Sequence, residues 1–341
     1  MSETAIQYAP LVRALFNDAA KQGQPVAGTF ELTESCNLSC GMCYIRNNGN
    51  PHPELKPASW NQLAQEAGDH GLIFLILTGG EIFSRNDFFE IYIPLTKMGF
   101  IITLLTNGTL ISETIAERLA DNPPNHVEIT LYGASKRTYE KVTGVPGSFE
   151  KCQRGIQALL NHDISSGLKT TLTRLNVHEL SAMKKMANNW GLPLITGWLL
   201  MKRRDGSSSD IDQSRLSSET GVSLELADSR AKNVIGNITE GINSHKCLAG
   251  RSSFTIGPSG AMNLCSHLPF PGVHPLNIGF KAAWKSVRQY TADLPPPSST
   301  CLKCEYLDYC PRCPAWSFSE TGTLKAPVPY LCRIARLRKM Q

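Results

Sequence analysis

A chain of 341 residues, with 41% hydrophobic content and a formal net charge of +5, has enough apolar material for one large α/β domain and a smaller appendage. Its lysines and arginines are scattered except in the tail Arg333-Ile-Ala-Arg-Leu-Arg-Lys339, so no nucleic-acid footprint is read in them. Gly71 to Leu77 is an apolar run of strand length, too short for a membrane span, and Met1-Ser-Glu-Thr-Ala lacks the look of a secretory signal, so no membrane partner is expected and the default location is the cytoplasm.

A helical leader is expected from Tyr8 to Ala20, within an N-terminal segment 1–27. Strands are then predicted at Thr29 to Thr33, Leu72 to Leu77, Phe100 to Thr106, Val127 to Leu131, Leu168 to Thr173 and Leu194 to Leu200. Helical patterns separate them at Leu55 to Asp69, Asp87 to Lys97, Ser112 to Ala120, Phe149 to Asn161 and His178 to Trp190, the last closed by Gly191. Six βα repeats over residues 28–216 imply a parallel sheet covered by helices, open or curled into a partial barrel, with its chemistry at the C-terminal ends of the strands. Lys202 to Gln213 is polar and reads as a long loop, and 217–244 as a bridging region. Residues 245–341 are rich in cysteine, glycine and proline and weak in long helices, as in small domains that need metals to fold.

Eleven cysteines in a chain without an export signal point to metal ligation and not to disulfides. Cys36, Cys40 and Cys43 have the spacing Cys-x3-Cys-x2-Cys directly after the first predicted strand. Three thiolates on one tight loop can ligate three irons of a cubane and leave the fourth iron for a substrate. A zinc loop is the alternative, although zinc ligands usually come as paired doublets. Leu77-Thr78-Gly79-Gly80-Glu81 follows the second strand, Thr106-Asn107-Gly108 ends the third and Glu128-Ile-Thr130-Leu-Tyr-Gly133 ends the fourth.

On these segments the chain resembles the radical S-adenosylmethionine (SAM) superfamily. The resemblance implies an α/β fold, a partial (β/α)6 TIM-like barrel with a small C-terminal iron-sulfur domain. It also implies a [4Fe-4S] cluster that binds SAM and, on accepting an electron from a donor such as a flavodoxin or ferredoxin, yields a 5'-deoxyadenosyl radical. Cys36, Cys40 and Cys43 would hold that cluster, and Tyr44, Gly79, Gly80, Glu81, Thr106, Asn107, Thr130 and Arg174 would meet SAM, with Asn176 a further possible contact. No catalytic acid or base is assigned.

The remaining pattern is Cys247, Cys265, the quartet Cys301, Cys304, Cys310 and Cys313, and finally Cys332. It resembles the SPASM extension of radical SAM enzymes that mature peptides. The resemblance implies two auxiliary iron-sulfur clusters: a nearer one on Cys247, Cys265 and Cys313, and a farther one on Cys301, Cys304, Cys310 and Cys332. Cys310-Pro-Arg-Cys313 has a gap of two where the family usually has three, and no further cysteine follows Cys247 to complete the nearer set. Water, substrate, His267 or His245 could fill that position. Cys152 lies in a helical pattern and is expected to be a small buried hydrophobe.

The resemblance implies modification of a ribosomally made peptide or protein by hydrogen abstraction. The partners would be a precursor peptide and a separate peptide-recognition protein, because the first strand begins too early for a fused one. A small-molecule substrate such as a tetrapyrrole precursor, and a non-enzymatic iron-sulfur electron carrier, stay open as alternatives.

Overall fold

The computed structural model describes residues 8–45, 53–204, 211–227 and 247–340. Helix α1 (Tyr8–Gln22) comes first, and Val12, Phe16 and Ala19 recur on its inner side at spacings of four and three. Six parallel strands follow: β1 (Ala27–Glu31), β2 (Phe74–Thr78), β3 (Ile101–Thr106), β4 (His126–Thr130), β5 (Ser166–Thr171) and β6 (Leu194–Gly197). The crossovers carry α2 (Pro57–Asp69), α3 (Phe88–Lys97), α4 (Glu113–Asp121), α5 (Lys136–Thr143), α6 (Ser148–Asn161) and α7 (Leu180–Asn189). Strands and helices alternate as expected, in a partial barrel, with strand starts shifted by about two residues at β1 and β2. Helix α5 was not expected; its short amphipathic stretch is capped by Ser135, whose side chain accepts from the Thr138 amide, and ended by Gly144.

Alternate residues of each strand face opposite sides. Phe30, Leu75, Leu77, Ile102 and Leu104 are wholly or almost wholly buried toward the helices, as the Phe30–Trp60 ring pair with α2 illustrates. The other set, including Ala27, Thr29, Phe74, Ile76, Ile101 and Thr103, lines the concave face. Phe16 of α1 meets Phe74 there, ring centre to ring centre at 5.3 Å, so α1 forms a floor at the N-terminal ends of the strands.

The C-terminal part does not stand apart. Its strand β7 (Ser253–Ile256) pairs in parallel with β1, and β8 (Met262–Cys265) and β9 (Leu268–Val273) add an antiparallel hairpin. The result is one nine-stranded sheet in the order β6-β5-β4-β3-β2-β1-β7-β8-β9. The expectation that long helices are scarce here is corrected by two, Phe280–Ala292 and Pro329–Lys339. Phe280, Ala283, Trp284 and Val287 recur at helical spacing and are buried, a period hidden among cysteines and prolines.

The expected bridging region 217–244 begins with a helix, Ser218–Ala227, and its remainder from 228 lies outside the described residues. That helix packs on Pro329–Lys339 through Arg338–Glu225 at 2.6 Å and Arg333–Glu219 at 2.8 Å. Arg336 and Lys339 lie over the Tyr306 ring, so the basic tail is largely engaged within the chain. Of the expected loop 202–213, residues 205–210 lie outside the described residues and Ile211–Ser214 forms a helical turn. No described helix is long and apolar enough to cross a membrane.

Candidate active site and cysteine groups

The loop 32–45 leaves β1 and carries Cys36, Cys40 and Cys43 across the C-terminal rim of the barrel. Its backbone is fixed from several sides. The Gly80 amide donates to Thr33 O at 2.8 Å, the Glu81 amide to Ser35 O at 2.9 Å, and the Ser39 amide to Thr143 O at 2.8 Å. Side chains from neighbouring segments add to this. Glu54 accepts from the Thr33 hydroxyl and the Glu34 amide, and Arg85 ties Glu54 to the Leu32 carbonyl.

The two glycines are needed for that closeness. Gly79 has φ +143, and a Cβ on it would lie 2.4 Å from Thr33 O; on Gly80 it would lie 2.2 Å from Ser35 O. An ammonium group donates and does not accept, so any contact of this turn with one falls to its carbonyls, while its amides at Gly80 and Glu81 hold the loop.

The acidic side chain of the turn is engaged within the fold. Glu81 is buried and accepts from the Thr106 hydroxyl at 2.8 Å, the Asn107 amide at 2.7 Å and the Phe83 amide at 3.2 Å. Burial pushes its pKa up, and these donors partly offset that. Asn107 is buried too, and its side chain donates to Asn37 and reaches the Cys36 sulfur at 3.8 Å. Glu81, Thr106 and Asn107 therefore brace the cysteine loop with their side chains.

Thr130 lies at the end of β4 with no side-chain partner among the described residues, on the concave side with Glu128. Arg174 is exposed and near Tyr330 of the C-terminal helix, and the next residue, Leu175, packs against the apolar residues of the cysteine loop. Asn176 is fully buried and donates to the Tyr132 and Thr171 carbonyls, a structural lock that leaves it no cofactor contact. Tyr44, expected to meet SAM, packs its ring at a tilt of 47° on His267 between β8 and β9, centre to centre at 4.5 Å, and donates to Glu31 at 3.3 Å.

The sulfurs fall into three groups, and in each the charge of neighbouring sulfurs adds to burial in raising the pKa of some members. Cys36 is pushed up to about 11 and Cys40 to about 12, by burial first and then by neighbours that include the other thiols of the loop. Tyr132 hydrogen-bonds to Cys40. Cys265, pushed up to about 11 mainly by burial, feels Cys313 and Cys247. Cys310, also at about 11 for the same first reason, feels Cys332, Cys301 and Cys304. Thiols held this high stay protonated at neutral pH unless a metal cation takes the proton's place.

Among the described residues no three His, Cys, Asp or Glu side chains converge as closely as one metal ion requires. Each group consists of cysteine thiols alone, the donor set of an iron-sulfur cluster. Cys313 caps the helix Pro314–Thr321, its sulfur accepting from the Trp316 amide at 3.3 Å, a donor that favours the thiolate. His267 is pushed down to about 4 by burial first and by Arg204 second. His245 lies outside the described residues. Cys152 is fully buried on α6 near Tyr139 and Glu81, in none of the three groups.

One part of the site has no signature in the sequence. Arg204, just beyond β6, forms ion pairs with Glu31 of β1 and with Glu34 at 2.8 Å. Burial opposes its charge, but the two carboxylates hold its pKa up. Glu31, Tyr44, Arg204 and His267 thus join the end of β1, the cysteine loop, the segment after β6 and the β8–β9 hairpin. Only long-range contact brings them together, and the one hint was a buried-strand position occupied by glutamate.

Residues 30–187 match the Radical SAM superfamily. The chain is 26% identical over 329 residues to the AdoMet-dependent heme synthase of Methanosarcina barkeri, covering 88% of this chain and 94% of that protein. It is 27% identical over 307 residues to the antilisterial bacteriocin subtilosin biosynthesis protein AlbA of Bacillus subtilis, covering 85% and 67%. The crystal structure of Streptococcus suis SuiB bound to precursor peptide SuiA superposes with a TM-score of 0.71 at 14% identity, over 97% of this chain and 82% of that one, a likeness of fold.

Proposed function

We infer, from the premise that this chain is a radical SAM enzyme whose domain over residues 30–187 uses a [4Fe-4S] cluster and SAM, that its substrate is a ribosomally made peptide or protein. When bound, that cluster and SAM supply a 5'-deoxyadenosyl radical that removes a hydrogen atom from the substrate. Cys36, Cys40 and Cys43 would hold the cluster, with Asn107, Tyr132 and the Gly79–Glu81 turn fixing the loop that carries them. The Gly79 and Gly80 carbonyls and Thr130 are the groups left to meet SAM.

We further propose two auxiliary iron-sulfur clusters, one on Cys247, Cys265 and Cys313 and one on Cys301, Cys304, Cys310 and Cys332. One observation carries this reading: Cys265 and Tyr44, the neighbour of Cys43, border the same chamber in the barrel. A substrate held there lies between two redox centres, so an electron left after hydrogen abstraction has an acceptor at hand. The names of AlbA and of the SuiA-bound SuiB support a peptide substrate. A flavodoxin or ferredoxin as donor and a separate recognition protein belong to the same proposal.

A tetrapyrrole precursor is the second reading, favoured by the near full-length similarity to the heme synthase. The two are separated by anaerobic incubation of the reconstituted enzyme with SAM and reductant. A mass change in a peptide encoded beside the gene, with 5'-deoxyadenosine formed, supports the first. Turnover of a tetrapyrrole with no peptide change overturns it.

A further inference from the structure

A chamber of about 630 Å3 lies within the barrel, inside the roughly 300–1,000 Å3 range of small-ligand sites. Strand register arranges its wall in levels. Ala27, Phe74, Ile101 and Ser253 form the lowest, beside Val12 and Phe16 of the α1 floor. Above it, Thr29, Ile76, Thr103 and Thr255 form the next. The top is bordered by Tyr44, Cys265 and His267.

Two features define what this space can hold. Among the described residues, none of its lining side chains is Asp, Glu, Lys or Arg. The nearest charged rim group of β1, Glu31, is paired with Arg204. A carboxylate brought into the chamber would lose water and find no cation, at a cost of several kcal/mol. The hydroxyls of Thr29 on β1, Thr255 on the neighbouring β7 and Thr103 on β3, one strand further across β2, make no hydrogen bond to another described residue. They form a ring of uncharged donors and acceptors between apolar surfaces, which suits amide groups flanked by hydrocarbon.

We propose that this chamber receives an uncharged, mainly apolar stretch of the substrate, namely hydrophobic side chains of a peptide with their amides, and that Phe16 sets its depth. The proposal rests on the peptide reading above and narrows it. Peptide residues with free carboxylates or ammonium groups are kept at the rim, and the segment that enters is neutral.

The test uses two dyes of one skeleton, neutral N-phenyl-1-naphthylamine and its sulfonated relative 8-anilino-1-naphthalenesulfonate. Equilibrium dialysis against the anaerobically reconstituted enzyme reads each without interference from cluster absorbance. The neutral dye should be retained at least roughly tenfold more tightly than the sulfonate. Phe16→Trp, which fills the floor, and Ile76→Asp, which places a charge in the wall, should each weaken the neutral dye by about fivefold or more. Thr103→Val should tighten it by about threefold, and Leu302→Ser, an exposed apolar site elsewhere, should leave it unchanged.

Equal retention of both dyes, or indifference of the neutral dye to Phe16→Trp and Thr103→Val, overturns the proposal. Those two substitutions keep the test decisive if Ile76→Asp does not fold. The binding result needs neither SAM cleavage nor product. A chamber that selects the neutral dye in an enzyme that turns over a tetrapyrrole would therefore leave the chamber standing and sink the peptide reading.

Discussion

The loop of Cys36, Cys40 and Cys43 and the C-terminal cysteine groups hold sulfurs in different surroundings. The first is gripped by the rest of the fold: glycines of β2–α3 press on its backbone, α5 accepts from the Ser39 amide, and Asn107 and Tyr132 reach two of its sulfurs. A small apolar cluster of Leu38, Met42, Val142, Leu200 and Ile211 seals it from below. In the farther C-terminal group, Cys301, Cys304 and Cys310 sit on or beside short elements, Ser299–Leu302 and the turn Leu307–Tyr309, while Cys332 lies on the helix Pro329–Lys339; Cys304 and Cys332 are exposed. A loop fixed by protein contacts keeps its shape without metal. The short turns of 299–313 would take more of their order from a bound cluster, if the proposed one is held there.

The largest effect that breaks the comparison is replacement of Cys36, Cys40 and Cys43 together by Ala. Production of 5'-deoxyadenosine should vanish, while iron content falls by only about one third, as expected if one of three cubanes is lost. Loss of nearly all iron would mean that the C-terminal groups depend on the first loop, contrary to their separate surroundings.

Gly80→Ala tests the grip itself. The added methyl would meet backbone, not a flexible side chain, so the loop must move. We expect SAM cleavage to drop by at least about tenfold while the C-terminal clusters stay loaded, read by electron paramagnetic resonance of the separate centres. Unchanged cleavage would show that the loop tolerates displacement.

Metal removal sharpens the same contrast. After chelation, hydrogen exchange should rise first and most across 299–313, while β1 to β5 keep their protection. Uniform loss across the sheet would show that β7, joined to β1, transmits disorder into the barrel.

Much of the barrel and the cysteine-rich loops were legible because both are local signals, whereas the grouping of Cys247, Cys265 and Cys313 apart from the other C-terminal cysteines came only from the family resemblance. Alternating apolar periods mark strands and helices, and cysteine spacing marks loops. The roles of Glu81, Thr106 and Asn107 were not. A buried carboxylate bonded to its own fold and one facing a cofactor read alike in a sequence, since the difference lies in contacts 25 and 26 residues away. Arg204 was hidden for the same reason, with partners 173 and 170 residues distant. The joining of β7 to β1 was equally invisible, because strand order across a long connection leaves no periodic trace.

The smallest expected effects separate two arginines on one helix, Pro329–Lys339. Arg338 is buried against Glu225, which also accepts from the Trp198 indole, so removing the guanidinium strands a half-buried carboxylate. Arg338→Ala should lower stability by about 3 kcal/mol. Arg333 meets Glu219 at 2.8 Å, a similar geometry, but both side chains are about half exposed (53% and 53%). Water and salt screen that pair and its side chains lose entropy in holding it, so Arg333→Ala should move the melting temperature by no more than about a degree. Thermal unfolding of the two variants in low and high salt is the measurement. If Arg333→Ala matched Arg338→Ala, the C-terminal helix would be held by its charges in general. If only Arg338→Ala is costly, the helix is anchored at one buried point beside the farther cysteine group, and the remaining positive charge of the tail serves solubility.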